Sequence, residues 1–182
     1  MRKILVFTNV SLDGYFEGLD HDLSAFKHDF EAFPSEGGQA AGALLFGRKT
    51  YEMMKFWSTP QAVEMAPEVA RFMNETPKYV ASHEPFDPGW KNVTVLSADV
   101  TAAVRKLKEL PGKNIMVFGS NELVVGLLQA GLIDELQIVV NPVALGQGTT
   151  LFEGLQVKVD FTLLGTRAFK SRAVMLRLEP VT

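Results

Sequence analysis

The chain has 182 residues, 47% of them hydrophobic, and carries 18 basic against 21 acidic side chains for a net charge of −3. That length holds one domain, residues 1–182, with a sizeable core, and the balance of charge argues against a nonspecific nucleic-acid or membrane-surface binder. Without cysteine, disulfides, thiolate metal sites and a cysteine nucleophile are excluded, and His21, His28 and His83 are too scattered for a zinc or iron centre.

Lys3 to Val10 reads as a buried strand. No apolar run reaches the roughly 18 residues of a membrane helix, and the N-terminal run lacks a cleavage-site pattern, so a cytoplasmic protein is expected. The turn Ser11-Leu12-Asp13-Gly14 follows. Leu23, Phe26, Phe30 and Phe33, spaced three, four and three apart, predict a helix that Pro34-Ser35-Glu36-Gly37-Gly38 ends. Ala43 to Phe46 reads as a strand, and a helix opens over Lys49 to Met54. Ala66 to Asn74 is a second helix, with Pro67 tolerated in its first turn.

Lys78 to Ser82 and Val93 to Leu96 are short strands. Thr101 to Leu110 is a helix with Val104 and Leu107 inward, stopped by Pro111-Gly112. Ile115 to Phe118 is a strand whose following helix ends at Gly131, and Glu135 to Val140 is a further strand. Phe161 to Thr166 and Ala173 to Leu178 pair as an antiparallel hairpin. The sum is an α/β domain with a mostly parallel sheet and an antiparallel edge.

Two strand-to-helix joints carry the chemistry. Val117-Phe118-Gly119-Ser120-Asn121-Glu122-Leu123 and Phe46-Gly47-Arg48-Lys49-Thr50 each end an apolar strand in glycine and open a helix. Such a joint offers backbone N–H groups and a positive helix end to a phosphate. Arg48 adds a guanidinium fork suited to an adenosine 2′-phosphate, and Thr50 a hydroxyl. The plainer alternative is an Arg-Lys pair on a solvated helix start. Gly119 is not part of the six-position dinucleotide fingerprint, because Asn121 to Val125 holds no third glycine.

Around these joints stand residues with two readings each. Asp13 is a turn residue or belongs to a mobile loop over a bound ring. Asp22 is a helix cap or, with Phe26 one turn on, an anchor for an amino-heterocycle. Ser82-His83 is a strand end or a second edge of the phosphate site. Asn141-Pro142-Val143-Ala144-Leu145-Gly146-Gln147-Gly148 is a loop bordering the pocket or an ordinary one.

Taken in order, Ser-Leu-Asp-Gly, Leu-Phe-Gly-Arg-Lys-Thr-Tyr-Glu, Tyr-Val-Ala-Ser, Val-Phe-Gly-Ser and Asn-Pro-Val-Ala-Leu-Gly-Gln-Gly resemble the dihydrofolate reductase-like family. Within it they resemble the reductase domain at the C-terminus of riboflavin-biosynthesis deaminase-reductases. The resemblance implies a three-layer αβα fold with about eight strands, NADPH as cofactor, and reduction of a pteridine- or pyrimidine-like heterocycle. It implies that Gly47, Arg48, Lys49, Thr50, Ser82 and His83 surround the adenosine phosphate. Phe118, Gly119, Ser120, Asn121, Glu122 and Leu123 then take the pyrophosphate.

It further implies Asp22 as the catalytic substrate anchor, Asp13, Phe26 and Trp57 on the substrate side, and a homodimer. Phe56-Trp57-Ser58-Thr59-Pro60 stands where folate reductases carry the arginine that clamps folate's tail, so folate is not the expected substrate. Two rival readings remain open: an NADP(H)-binding module without turnover, and an assembly domain with no ligand.

Overall fold

A computed structural model describes residues 1–26 and 41–181. The first strand, β1 (Ile4–Ser11), is followed by the short β2 (Tyr15–Glu17) and a 3-10 turn at Leu19–His21. Next come β3 (Ala41–Gly47), α1 (Arg48–Met54), a 3-10 turn at Lys55–Ser58, α2 (Pro60–Met65), α3 (Pro67–Glu75), β4 (Lys78–Ala81) and β5 (Val93–Leu96). The chain continues through α4 (Val100–Glu109), β6 (Asn114–Phe118), α5 (Asn121–Gln129), β7 (Glu135–Asn141), β8 (Thr149–Thr150), β9 (Phe161–Ala168) and β10 (Val174–Pro180).

Eight strands form one sheet in the order β5-β4-β3-β6-β1-β7-β10-β9, while β2 and β8 pair separately. The first six run parallel; β10 turns back antiparallel on β7 and carries β9 at the edge. The expected mostly parallel α/β sheet of about eight strands, with an antiparallel C-terminal hairpin, is the fold found.

The alternation along each strand builds two cores. Ile4, Val6, Ala43, Leu45, Ile115 and Val117 face α4 and α5, meeting Val104, Leu107, Val124 and Leu127. Leu5, Leu44, Phe46, Met116 and Phe118 face the other way, against Tyr51 of α1 and Val69 and Met73 of α3. Helices thus cover both faces, which is the three-layer arrangement a parallel sheet needs.

Local signals explain most elements. Asp99 caps α4 by accepting from the Ala102 N–H at 2.9 Å, and Pro67 sits in the first turn of α3. Beyond α5, the Gly131 N–H returns to the Leu128 carbonyl and that of Leu132 to Leu127. Sequence periodicity missed α2, which has only six residues, and both strands of the β2–β8 pair. The helix expected from Leu23 is not present over its first residues: Ser24 and Ala25 form a turn closed by the Phe26 N–H on the Leu23 carbonyl at 3.0 Å. Phe30, Phe33 and the 34–38 stop signal lie outside the described residues. Among the described residues no helix is long and apolar enough to cross a membrane.

Candidate active site

The topology selects one end of one strand pair. After β3 the chain leaves through α1 toward β4, on one side and one face of the sheet; after β6 it leaves through α5 toward β7, on the other side and the other face. Adjacent parallel strands whose connections diverge open a crevice at their carboxyl ends, where α/β proteins hold ligands. The glycine joints at Gly47 and Gly119 are the carboxyl ends of those two strands. They therefore stand side by side rather than on opposite sides of the molecule.

They are also bonded to each other. Ser120 has left-handed backbone, φ 61° and ψ 62°, directly after Gly119 at φ 53°. Left-handed backbone costs a serine on the order of 1 kcal/mol. The bend turns the Ser120 hydroxyl into the β3 joint, where it accepts from the Gly47 N–H at 2.8 Å and lies 2.8 Å from Thr50 Oγ1 and 3.2 Å from the Phe118 carbonyl. A Cβ on Gly47 would lie 3.2 Å from that oxygen, so glycine is needed there for close approach.

This geometry brings together three of the expected cofactor contacts: the Gly47 N–H donates to the Ser120 hydroxyl, and Thr50 is buried against them. Arg48 and Lys49 open α1 at one joint, and Asn121, Glu122 and Leu123 form the first turn of α5 at the other. Glu122 is exposed, and its carboxylate complements the positive helix end on its own.

Arg48 is held from two directions. Its guanidinium carbon lies 3.4 Å from the centre of the Phe86 ring, and it pairs with Glu52 at 2.8 Å one turn along α1. Phe86 in turn packs on Tyr51, and Tyr51 on Trp90, which ties the 82–92 loop down onto α1. Burial pushes the Tyr51 hydroxyl up to about 12, and it donates to the Pro88 carbonyl at 2.7 Å. Ser82 and His83 follow β4, the neighbour of β3. The Ser82 hydroxyl donates to the Glu84 carbonyl at 2.7 Å and so closes its own turn, while His83 is exposed.

Asp13 ties two loops together. Its carboxylate accepts from the Ser11 hydroxyl at 2.6 Å, the Gly146 N–H at 2.8 Å and the Leu145 N–H at 3.1 Å. The Ser11 bond first, then that of Gly146, holds its pKa down to about 2. The turn after β1 is thereby fastened to the 141–148 loop, and the β2–β8 pair fastens it again. Phe16 of β2, absent from the residues expected at the site, is buried with its ring 3.4 Å from where a Gly119 Cβ would stand. Its signal was an aromatic immediately after a turn, too common a feature to read alone.

Asp22 is exposed and accepts from the Ser24 N–H at 2.8 Å and the Ser24 hydroxyl at 3.0 Å, bonds that lower its pKa. Locally this is the capping geometry of an Asx turn. Phe26 is buried, and Trp57 packs on the same core as Tyr51 and Phe118.

Comparison with known proteins gives the family and the fold. The family model described as the RibD C-terminal domain matches residues 2–175. YwjB of Bacillus subtilis, an uncharacterized protein, is 32% identical over 178 residues, 96% of either chain. A protein described as a riboflavin biosynthesis protein from Shewanella sp. PV-4 shares the fold with a TM-score of 0.76, at 20% identity over 99% of both chains. A diaminohydroxyphosphoribosylaminopyrimidine deaminase/5-amino-6-(5-phosphoribosylamino)uracil reductase from Thermotoga maritima does so with a TM-score of 0.72 at 16% identity; the match covers 99% of this chain and 57% of that one.

Proposed function

Because the chain belongs to the RibD C-terminal domain family, we propose that it is an NADPH-dependent oxidoreductase acting on a pteridine- or pyrimidine-like heterocycle. One observation carries the reading: the two glycine joints meet at the carboxyl ends of adjacent strands, beside the amino end of α5 and the Arg48 guanidinium. A diphosphate-linked coenzyme needs those two features next to each other.

In this reading the backbone N–H groups of Asn121 and Leu123 donate to the pyrophosphate, and Arg48 with Lys49 holds the 2′-phosphate, with His83 beside it. NADPH supplies the hydride. The protein's part is to fix the ring geometry and exclude water, and the Phe16 ring packed by Gly119 closes the crevice from the β2 side. Asp22 stays ionised at neutral pH and so acts as an acceptor that grips an amino group; the proton that accompanies the hydride comes from water. The same reading takes the protein as a cytoplasmic homodimer, which light scattering tests.

Replacing Arg48 with Ala is the direct experiment. NADPH affinity is expected to fall by about tenfold or more, the worth of a charge-assisted pair, while NADH affinity hardly moves. Equal losses for both coenzymes would remove Arg48 from the phosphate site. A binding module without turnover has one observation in its favour, namely that both carboxylates at this edge, Asp13 and Asp22, are shifted toward ionisation and hold no proton to give. Oxidation of bound NADPH by any heterocycle excludes it.

A further inference from the structure

We propose that Asn9 reads the substrate: its side-chain N–H pair donates to a ring carbonyl of the heterocycle, an inference that rests on the reductase reading above. Asn9 lies near the carboxyl end of β1, beside β6, whose end carries Gly119. By strand alternation it follows Leu5 and Phe7 on the face that bears α1. Phe7 packs there against the core shared by Phe118 and Trp57, with its ring 6.0 Å from that of Phe118. Asn9 thus looks toward the crevice from its floor, one step before Ser11, whose hydroxyl is spent on Asp13, and it is half-buried.

Its orientation is set by a second asparagine. Asn141, at the end of β7 and 2% exposed, places its Nδ2 at 3.2 Å from the Val10 carbonyl, 3.2 Å from the Val139 carbonyl and 3.1 Å from Asn9 Oδ1. Backbone carbonyls only accept, so the Asn141 atom facing them is the nitrogen. The Asn9 atom facing that nitrogen must then be the oxygen. Asn9 Nδ2 is therefore turned away, and among the described residues none accepts from it. Asn141 Nδ2 has two N–H groups for three acceptors at similar distances, so one is shared, and Asn9 Oδ1 is held as part of that set.

An amide clamped with its donors outward, on the floor of a ligand crevice, selects for an acceptor. Paired with the acceptor Asp22, it favours a ring carrying both an oxo and an amino group over a diamino ring.

The test uses two matched pairs of probes, uridine against cytidine and pterin against 2,4-diaminopteridine, titrated calorimetrically into the NADPH-saturated protein. The wild type is expected to favour the oxo member of at least one pair. Asn9→Asp, which turns the donor into an acceptor, is expected to shift the oxo-to-amino affinity ratio about tenfold toward the amino member. Asn9→Ala should bring the ratio close to one, and it carries the test alone if Asn9→Asp fails to fold. Ratios unchanged in the variants overturn the inference. So does failure of all four probes to bind while NADPH binds well, an outcome that leaves the reductase reading standing. Failure of NADPH itself to bind the wild type overturns that reading, and this one with it.

Discussion

The two ends of the parallel sheet use the same residue types in opposite ways. At the amino ends of the strands, cations are consumed by the protein's own backbone. The Lys78 ammonium, 1% exposed, donates to the Met73, Asn74 and Thr76 carbonyls and lies 4.6 Å from the centre of the Trp90 ring. Desolvation, then the charge of Lys91, lowers it to about 8, which leaves it charged at neutral pH. The Arg2 side chain donates to the Lys113 carbonyl, and Lys108 bonds both the Leu132 carbonyl and Asp134, whose carboxylate accepts from the Ile4 N–H. At the carboxyl ends, Arg48 is stacked and paired yet 42% exposed, Lys49 is exposed and Asn9 has donors to offer. Polar groups are finished at one end and presented at the other. That difference, more than any single motif, is what the proposed ligand site rests on.

The sharpest way to break this contrast is at its closed end. Lys78→Met should lower folding stability by about 3 kcal/mol, because three carbonyls at the end of α3 lose a buried donor. Urea denaturation measures it, and an effect below about 1 kcal/mol would mean that those carbonyls find water instead. NADPH and NADH affinities of the folded variant should keep the wild-type ratio.

Next comes the tie between the two glycine joints. Ser120→Ala keeps the left-handed strain and strands the Gly47 N–H, and should cost about 1–2 kcal/mol. Ser120→Gly loses the same bond but relieves the strain, and should regain about 1 kcal/mol of that loss. Equal melting curves for the two variants would show that the serine is not strained there.

The smallest effect sits at Asp13. Its pKa is depressed when folded, so the unfolded chain binds the proton first as the solution is acidified. The stability it contributes is complete above about pH 4 and is lost as pH falls toward about 2. Asp13→Asn should therefore flatten the acid limb of the stability profile across that window and leave the neutral region almost unchanged. A profile of wild-type shape would free the 141–148 loop from this staple.

Much of this was legible in the residues. Val104 and Leu107 on α4, Pro67 opening α3 and the apolar runs that became β1, β3, β6 and β7 are local patterns, set by period and capping. Gly119 was visible because a strand, a glycine and a helix fall within a few neighbouring residues. What could not be read is the partner of each polar group. The hydroxyl of Ser120 meets a backbone N–H 73 positions away, and the Asn141 amide meets Asn9 across 132 positions. Asp22 misled in a different way: an acid before apolar residues at helical spacing predicts a cap and a helix, but the short turn to Phe26 captured both of its oxygens for Ser24.

The placement of β1 also governs how the chain comes into being. Ile4 aligns with Ile115 and Leu5 with Glu135, so β1 waits for more than a hundred residues before either neighbour exists. Until β7 emerges, a bare apolar ribbon is open to any other nascent edge. Folding of this domain is in consequence a late and largely non-local event, and crowded synthesis is where a weakened variant would first be lost to aggregation.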